Sequence, residues 1–328
     1  MKSAITILGL FIATAIMIFL QSYTTKNLLP VNGNTELLPA ISGYHIFKGD
    51  PAELVPADEY TSYQLATGLF TDYAEKQRLI KVPAGYKMTA VRDGLPDFPD
   101  GTILVKTFYY FIDKREPAKG KRLIETRVLI KSNSKWVAGT YVWNIQQTDA
   151  VLITNGLKTG VDWIDQHGES KFISYQVPTN KECGSCHNSD KTMSPIGLKI
   201  RNLNIDVARD KRTINQLSYF QQHGIMNQFD PSSFTSTPDW QNTSLSLGER
   251  ARAYLDVNCA HCHSQNGFCA KSGLRLGYEI PFSATQIVQK KDRMIKLLSN
   301  RKMPLLGTTV IYQEGIALIK EYVNTLSQ

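Results

Sequence analysis

The spacing of apolar and polar positions changes character three times along the chain. Behind Met1-Lys2, residues Ser3 to Leu20 are almost entirely apolar, and Gln21 to Lys26 are polar. A stretch of this length lies between a signal-peptide core and a minimal transmembrane span. No A-x-A cleavage site follows it, and no cysteine is at hand to accept a lipid. Residues 1–26 therefore read as a signal peptide or as an N-terminal membrane anchor, and the pattern does not choose between them. Either alternative exports the remainder to the periplasm or the outer face of the cytoplasmic membrane, with Lys2 on the cytoplasmic side. Membrane association would run through residues 3–20. Residues 27–40, with Pro30, Gly33 and Pro39, read as a linker.

From 41 to 178 the texture is β. The runs Leu79–Val82, Lys87–Val91, Thr102–Phe111, Arg122–Ile130, Trp136–Trp143, Val151–Thr154 and Lys171–Val177 are rich in Val, Ile, Thr, Tyr and Phe. Asp93-Gly94, Pro99-Asp100-Gly101, Lys119-Gly120 and Ser132-Asn133-Ser134 punctuate them as turns. The pattern predicts a mostly antiparallel β domain without an obvious catalytic cluster. Asp72, Tyr73 and Lys76 meet Trp143, Asp149 and Asp162 only by conjecture; surface charge and core aromatics are the plainer reading.

After Pro178 the period becomes helical. Ile214, Leu217, Phe220 and Ile225 fall on one face of a helix over Thr213–Met226. Ser246 and Glu249 form a capping box that opens a second helix. Thr285–Asn300 and Tyr312–Leu326 predict two more. The expected fold class is α+β multidomain. An antiparallel β domain (41–178) precedes an all-α region made of two modules, 179–240 and 241–328.

Composition narrows the function. A chain of 328 residues with 42% hydrophobic and 20% charged residues folds around a real core and is not disordered. The net charge is +8. Lys119 to Arg122 and Lys290 to Arg293 are short, isolated groups, so no clustered footprint for nucleic acid exists.

Four of the five cysteines stand in two copies of one pattern, Cys183-Gly-Ser-Cys186-His187 and Cys259-Ala-His-Cys262-His263. C-x-x-C-H is the attachment signature of c-type haem. The two thiols on one turn reach the two vinyl groups of a haem, and the histidine that follows lies under the iron. The expected cofactors are therefore two covalently bound haem c groups. Cys183 and Cys186 carry the first with His187 as proximal ligand; Cys259 and Cys262 carry the second with His263. Zinc pairs usually lie about 15–20 residues apart, whereas Cys186 and Cys259 are 73 positions apart. A thioredoxin-like pair would need a βαβ turn that neither copy has. The propionates of two haems would in part be answered by the basic excess.

Met303, in Met303-Pro304 and 40 residues beyond His263, is the expected distal ligand of the second haem. A thioether sulfur there raises the potential; core filler is the alternative. His261 reads as a spacer residue. For the first haem, Met193 lies too close to His187 to round the porphyrin edge comfortably. Met226 matches the Met303 spacing best, His223 is its rival, and an open sixth position stays in play. Cys269 is left over and reads as a free, partly buried thiol.

Residues Gly248 to His263, with Met303-Pro304 and Glu314 to Val323, resemble a class I cytochrome c domain. The chain from about 41 to its end also resembles a family of poorly characterised bacterial di-haem c-type cytochromes. The likeness rests on Leu69 to Lys76, Phe98 to Thr102, Lys106 to Phe108, Arg122 to Arg127, Tyr141 to Asn144, Pro195-Ile196-Gly197 and Arg201 to Asn204. The span between Gly273 and Met303 is short against that pattern. The resemblance implies an exported electron-transfer protein with no established substrate, met by a redox protein partner across a small transient interface. Two alternatives remain. One is a haem enzyme, peroxidase-like, acting at an open first haem; bacterial di-haem peroxidases also carry two such motifs, but the β-rich region here argues against that family. The other makes the β domain a module that binds a partner or polymer, with the haems as relay.

Overall fold

The computed structural model describes residues 36–189 and 192–326. The apolar N-terminal stretch and most of the linker lie outside them. Among the described residues no helix is long and apolar enough to cross a membrane.

Six strands form one antiparallel sheet in sequence order: β1 (Thr61–Ser62), β2 (Glu75–Lys81), β3 (Ile103–Phe111), β4 (Lys121–Ser132), β5 (Lys135–Trp143) and β6 (Ala150–Ile153). Successive side chains alternate between its faces. On one face Leu79, Ile103, Val105, Val128, Ile130 and Tyr141 pack under Tyr44, Ile46 and Tyr60. The opposite face is divided. At one end Ile80, Leu104 and Leu129 meet Leu198, Ile200, Leu203, Leu217 and Phe220. At the other, Phe108, Tyr110 and Ile124 meet Trp163, Ile173 and Tyr175. Those last three lie on the hairpin of β7 (Leu157–Ile164) and β8 (Ser170–Val177).

Beyond β8 come α1 (Asn180–Cys186), β9 (Asn188–Ser189) paired with β10 (Thr192–Met193), and α2 (Ile200–Leu203). Then follow the hairpin of β11 (Asp206–Arg209) and β12 (Arg212–Asn215), and α3 (Gln216–Gln222). Three longer helices close the chain: α4 (Leu247–Asn258), α5 (Ile287–Ser299) and α6 (Gln313–Asn324). They share a core of Tyr254, Leu255, Ile287, Met294, Leu318, Ile319 and Val323, with Trp240.

The expected all-α, cytochrome c-like C-terminal region is not what the chain forms. Two β pairs lie inside 179–240, and residues 36–328 make one compact unit rather than a β domain followed by a helical one. The reason is local. Asp210 and Lys211 both take positive φ, 49° and 63°, the backbone of a tight hairpin turn. Val207 then faces Ile214 across β11 and β12. Asn215 caps α3 by accepting from the backbone N–H groups of Leu217 and Ser218. The helix expected over Thr213–Met226 is shortened at both ends. The strand expected over Lys87–Val91 is also absent. Met88 and Thr89 make only isolated bridges, to Met226 and Asp97.

Candidate functional site

Each cysteine pair sits at the end of a capped helix. Thr179 and Glu182 form a capping box at the start of α1. This helix lies against β5 and carries Cys183 and Cys186, and the His187 N–H donates to the Cys183 carbonyl at 2.9 Å. Ser246 and Glu249 cap α4 in the same way. That helix delivers Cys259, and the His263 N–H donates to the Cys259 carbonyl at 2.8 Å.

Both histidines have the Nδ1 edge engaged. The β9–β10 pair turns the chain back so that Ser194 meets His187 twice. The Ser194 N–H donates to the His187 carbonyl at 2.7 Å, and His187 Nδ1 lies 2.9 Å from the Ser194 carbonyl oxygen. A carbonyl oxygen only accepts, so this bond places the proton on Nδ1 and leaves Nε2 with a free lone pair. His263 Nδ1 lies 2.9 Å from the Ser272 hydroxyl. That hydroxyl already accepts from the Leu274 N–H and keeps a second lone pair for an Nδ1–H donor. A metal-ligating histidine is usually fixed in this manner through its other nitrogen. Burial, and then the positive Lys106, press the His187 pKa down to about 3, so its imidazole is neutral. Burial also lowers that of His263.

The two motifs converge. The ligand atoms of Cys186, His261 and Cys262 lie within 4.8 Å of one another. Cys186 and Cys262 share a hydrogen bond that pulls one thiol's pKa down and pushes the other's up. Among the described residues, His261 Nδ1 is buried without a partner. Cys183 Sγ lies 3.9 Å from Thr140 Oγ1 on β5, and Cys259 is pushed up to about 12 by burial. A cavity of about 460 Å³ opens between the motifs, lined by Cys186, His187, Pro195, Val257, Ala260 and His261 among others. That volume lies in the range of small-molecule and cofactor sites, about 300–1,000 Å³. Lys199 and Asp256 form an ion pair in its wall, and Arg201 reaches Glu279 at 2.6 Å.

The remaining expected site residues stand apart. Met226 is fully buried beside Met88, Leu217 and Phe220, and lines neither the large cavity nor the smaller one under His187. His223 is exposed at the end of α3, stacked on Tyr219 with centroids 3.9 Å apart, its Nδ1 bonded to the Tyr219 carbonyl. Met303 is half-buried in the segment joining α5 to α6. Cys269 is half-buried, and its N–H donates to the Cys262 carbonyl at 2.9 Å.

Two anchoring groups lie outside the cysteine motifs. Asp72 does not meet Trp143, Asp149 or Asp162. Its carboxylate accepts from the Thr309 N–H and hydroxyl and from the Val310 N–H, tying the segment after Met303 to the start of β2. Asn258, the last residue of α4, accepts from the Phe70 N–H at 2.7 Å.

No family model, no curated protein and no solved structure matches the chain. The resemblance to a bacterial di-haem cytochrome family is accordingly not upheld. The geometry departs from it as well: cysteines of the two motifs meet in one cluster with His261, instead of serving two separate modules.

Proposed function

We propose that this chain is an exported electron-transfer protein carrying two covalent haem c groups, attached through Cys183 and Cys186 and through Cys259 and Cys262. The observation that carries the reading is the repeated arrangement at His187 and His263. Each histidine directly follows a cysteine pair on a capped turn and is held at Nδ1. The donor set suits a haem: two thiols per site for thioether bonds and a neutral imidazole whose Nε2 is free. A haem so held supplies a one-electron iron couple. The protein's part is to orient the two imidazoles, keep them unprotonated and restrict water. Two haems on one chain would exchange electrons with each other and deliver them to a redox protein partner.

Full-length protein made in a host that matures c-type cytochromes tests this. The expected product is coloured, and its mass exceeds the chain by two haems. A double Cys183→Ala, Cys186→Ala variant loses one of them. A colourless product with the mass of the bare chain overturns the proposal.

One observation favours a second reading. Cys186, Cys262 and His261 are spaced to hold a soft divalent ion such as zinc. Thioether sulfurs are not available as thiolates, so the two readings exclude each other. A bare-chain mass together with stoichiometric bound zinc would select the second.

A further inference from the structure

We propose that a half-buried row of basic residues across the sheet, Arg78, Lys106 and Arg127, receives the propionate carboxylates of the haem carried by Cys183, Cys186 and His187. The inference rests on the covalent-haem reading and extends it to residues far from either motif.

The register builds the row. Arg78 on β2 pairs with Lys106 on β3, Lys106 with Arg127 on β4, and Arg127 with Thr140 on β5. Thr140 is the residue that Cys183 Sγ meets. All four share the divided face of the sheet. The row fills the gap between the apolar patch at Leu104 and Leu129 and the one at Phe108. Lys106 and Arg127 line one small cavity together with His187, Pro195 and Leu198. The first motif and the basic row therefore face the same space.

The row is short of anions. Glu125 pairs with Arg127 and also accepts from the Tyr175 hydroxyl at 2.6 Å. Glu75, the other carboxylate near the row, is held by Lys114 at 2.8 Å. Lys76, two residues from Arg78, donates to the Ala74 carbonyl. Among the described residues Arg78 reaches only a carbonyl, at 3.5 Å, and its buried Nε has no partner. Lys106 has no hydrogen-bond partner among the described residues. Cations partly withdrawn from water with too few counter-charges are costly. A sheet that places them in inward register beside a covalent anchor is complementary to a ligand with its own carboxylates. Arginine meets a carboxylate through its planar fork and lysine as a point charge.

Lys106→Met and Arg78→Met, with Lys106→Arg as the conservative control, test the proposal in matured full-length protein. Mass reports haem number, and redox titrations are run with and without inorganic phosphate. Removing a cation beside a haem disfavours the reduced, less positive form. Both Met variants should keep two haems and show one midpoint potential lowered and the other unmoved. Lys106→Arg should stay with the parent, and phosphate should change nothing. If Lys106→Met does not mature, Arg78→Met carries the test. Two attached haems with both potentials unmoved in the Met variants would overturn the assignment and leave the haem reading standing. So would a phosphate-dependent shift, which marks a free-anion site. A parent protein without haem mass overturns both.

Discussion

Lys199 Nζ lies 2.5 Å from Asp256 Oδ1, joining the segment after the first cysteine pair to the helix that leads into the second. Asp256 is almost wholly buried. It also accepts from the Tyr278 N–H, and its Oδ2 has no partner among the described residues. Lys199→Met strands that carboxylate and should cost about 3 kcal/mol, read as a lower urea midpoint. Adding Asp256→Leu should recover part of the loss. A Lys199→Met midpoint equal to the parent's would show that the pair does not fix this wall of the cavity.

Ser272 is the side-chain partner of His263 Nδ1. Under the covalent-haem proposal, donation from Nδ1–H would make the imidazole a more basic ligand and favour ferric iron. Ser272→Ala should raise one midpoint potential and leave the other in place. A drop, or equal movement of both, would contradict the orientation assigned to His263.

Gly315 marks where α6 crosses α4. A Cβ built there would stand 2.2 Å from the Tyr254 hydroxyl. Gly315→Ala should destabilise the protein by about 1–3 kcal/mol through overpacking, measured by thermal or chemical unfolding. Truncating the neighbour in a Tyr254→Ala, Gly315→Ala pair should make the two effects clearly non-additive.

Asp113 is held below the ordinary carboxylate range, chiefly by hydrogen bonds from Arg115 and also by Lys119. A carboxyl whose folded pKa is depressed stabilises the fold above its unfolded value of 3.8. That stabilisation is lost as pH falls below 3.8 toward the folded value. Asp113→Asn should therefore weaken the protein at neutral pH and flatten this acid limb. A limb identical to the parent's would remove Asp113 from the account.

Much of the sheet was legible because Thr102–Phe111, Arg122–Ile130 and Trp136–Trp143 carry long β-branched and aromatic runs, and these became β3, β4 and β5. The capping box at Ser246 located α4. The β7 strand escaped because Lys158, Gly160 and Asp162 interrupt its apolar positions. The β11–β12 hairpin escaped because Asp-Lys, rather than Asn-Gly, occupies its turn. At the candidate site, the cysteine pairs and their histidines were legible from spacing alone. Ser194 and Ser272 were not, since a backbone carbonyl and a lone hydroxyl leave no mark in sequence. The basic row did leave one. Arg78, Lys106 and Arg127 each stand two positions from an inward apolar residue, Ile80, Leu104 and Leu129. A charge in the inward register is an exception that alternation exposes once the pairing is known.

Ser194 returns to His187 within eight residues, by way of one short β pair. Ser272 lies nine residues beyond His263. The cavity wall, by contrast, joins segments far apart in the chain, as Lys199 and Asp256 do. The imidazoles can thus be aimed while the polypeptide is still emerging and its long-range contacts are unmade. Under the covalent-haem proposal, attachment would precede the long-range contacts of the cavity wall, with the sheet strands, earlier in the chain, already paired.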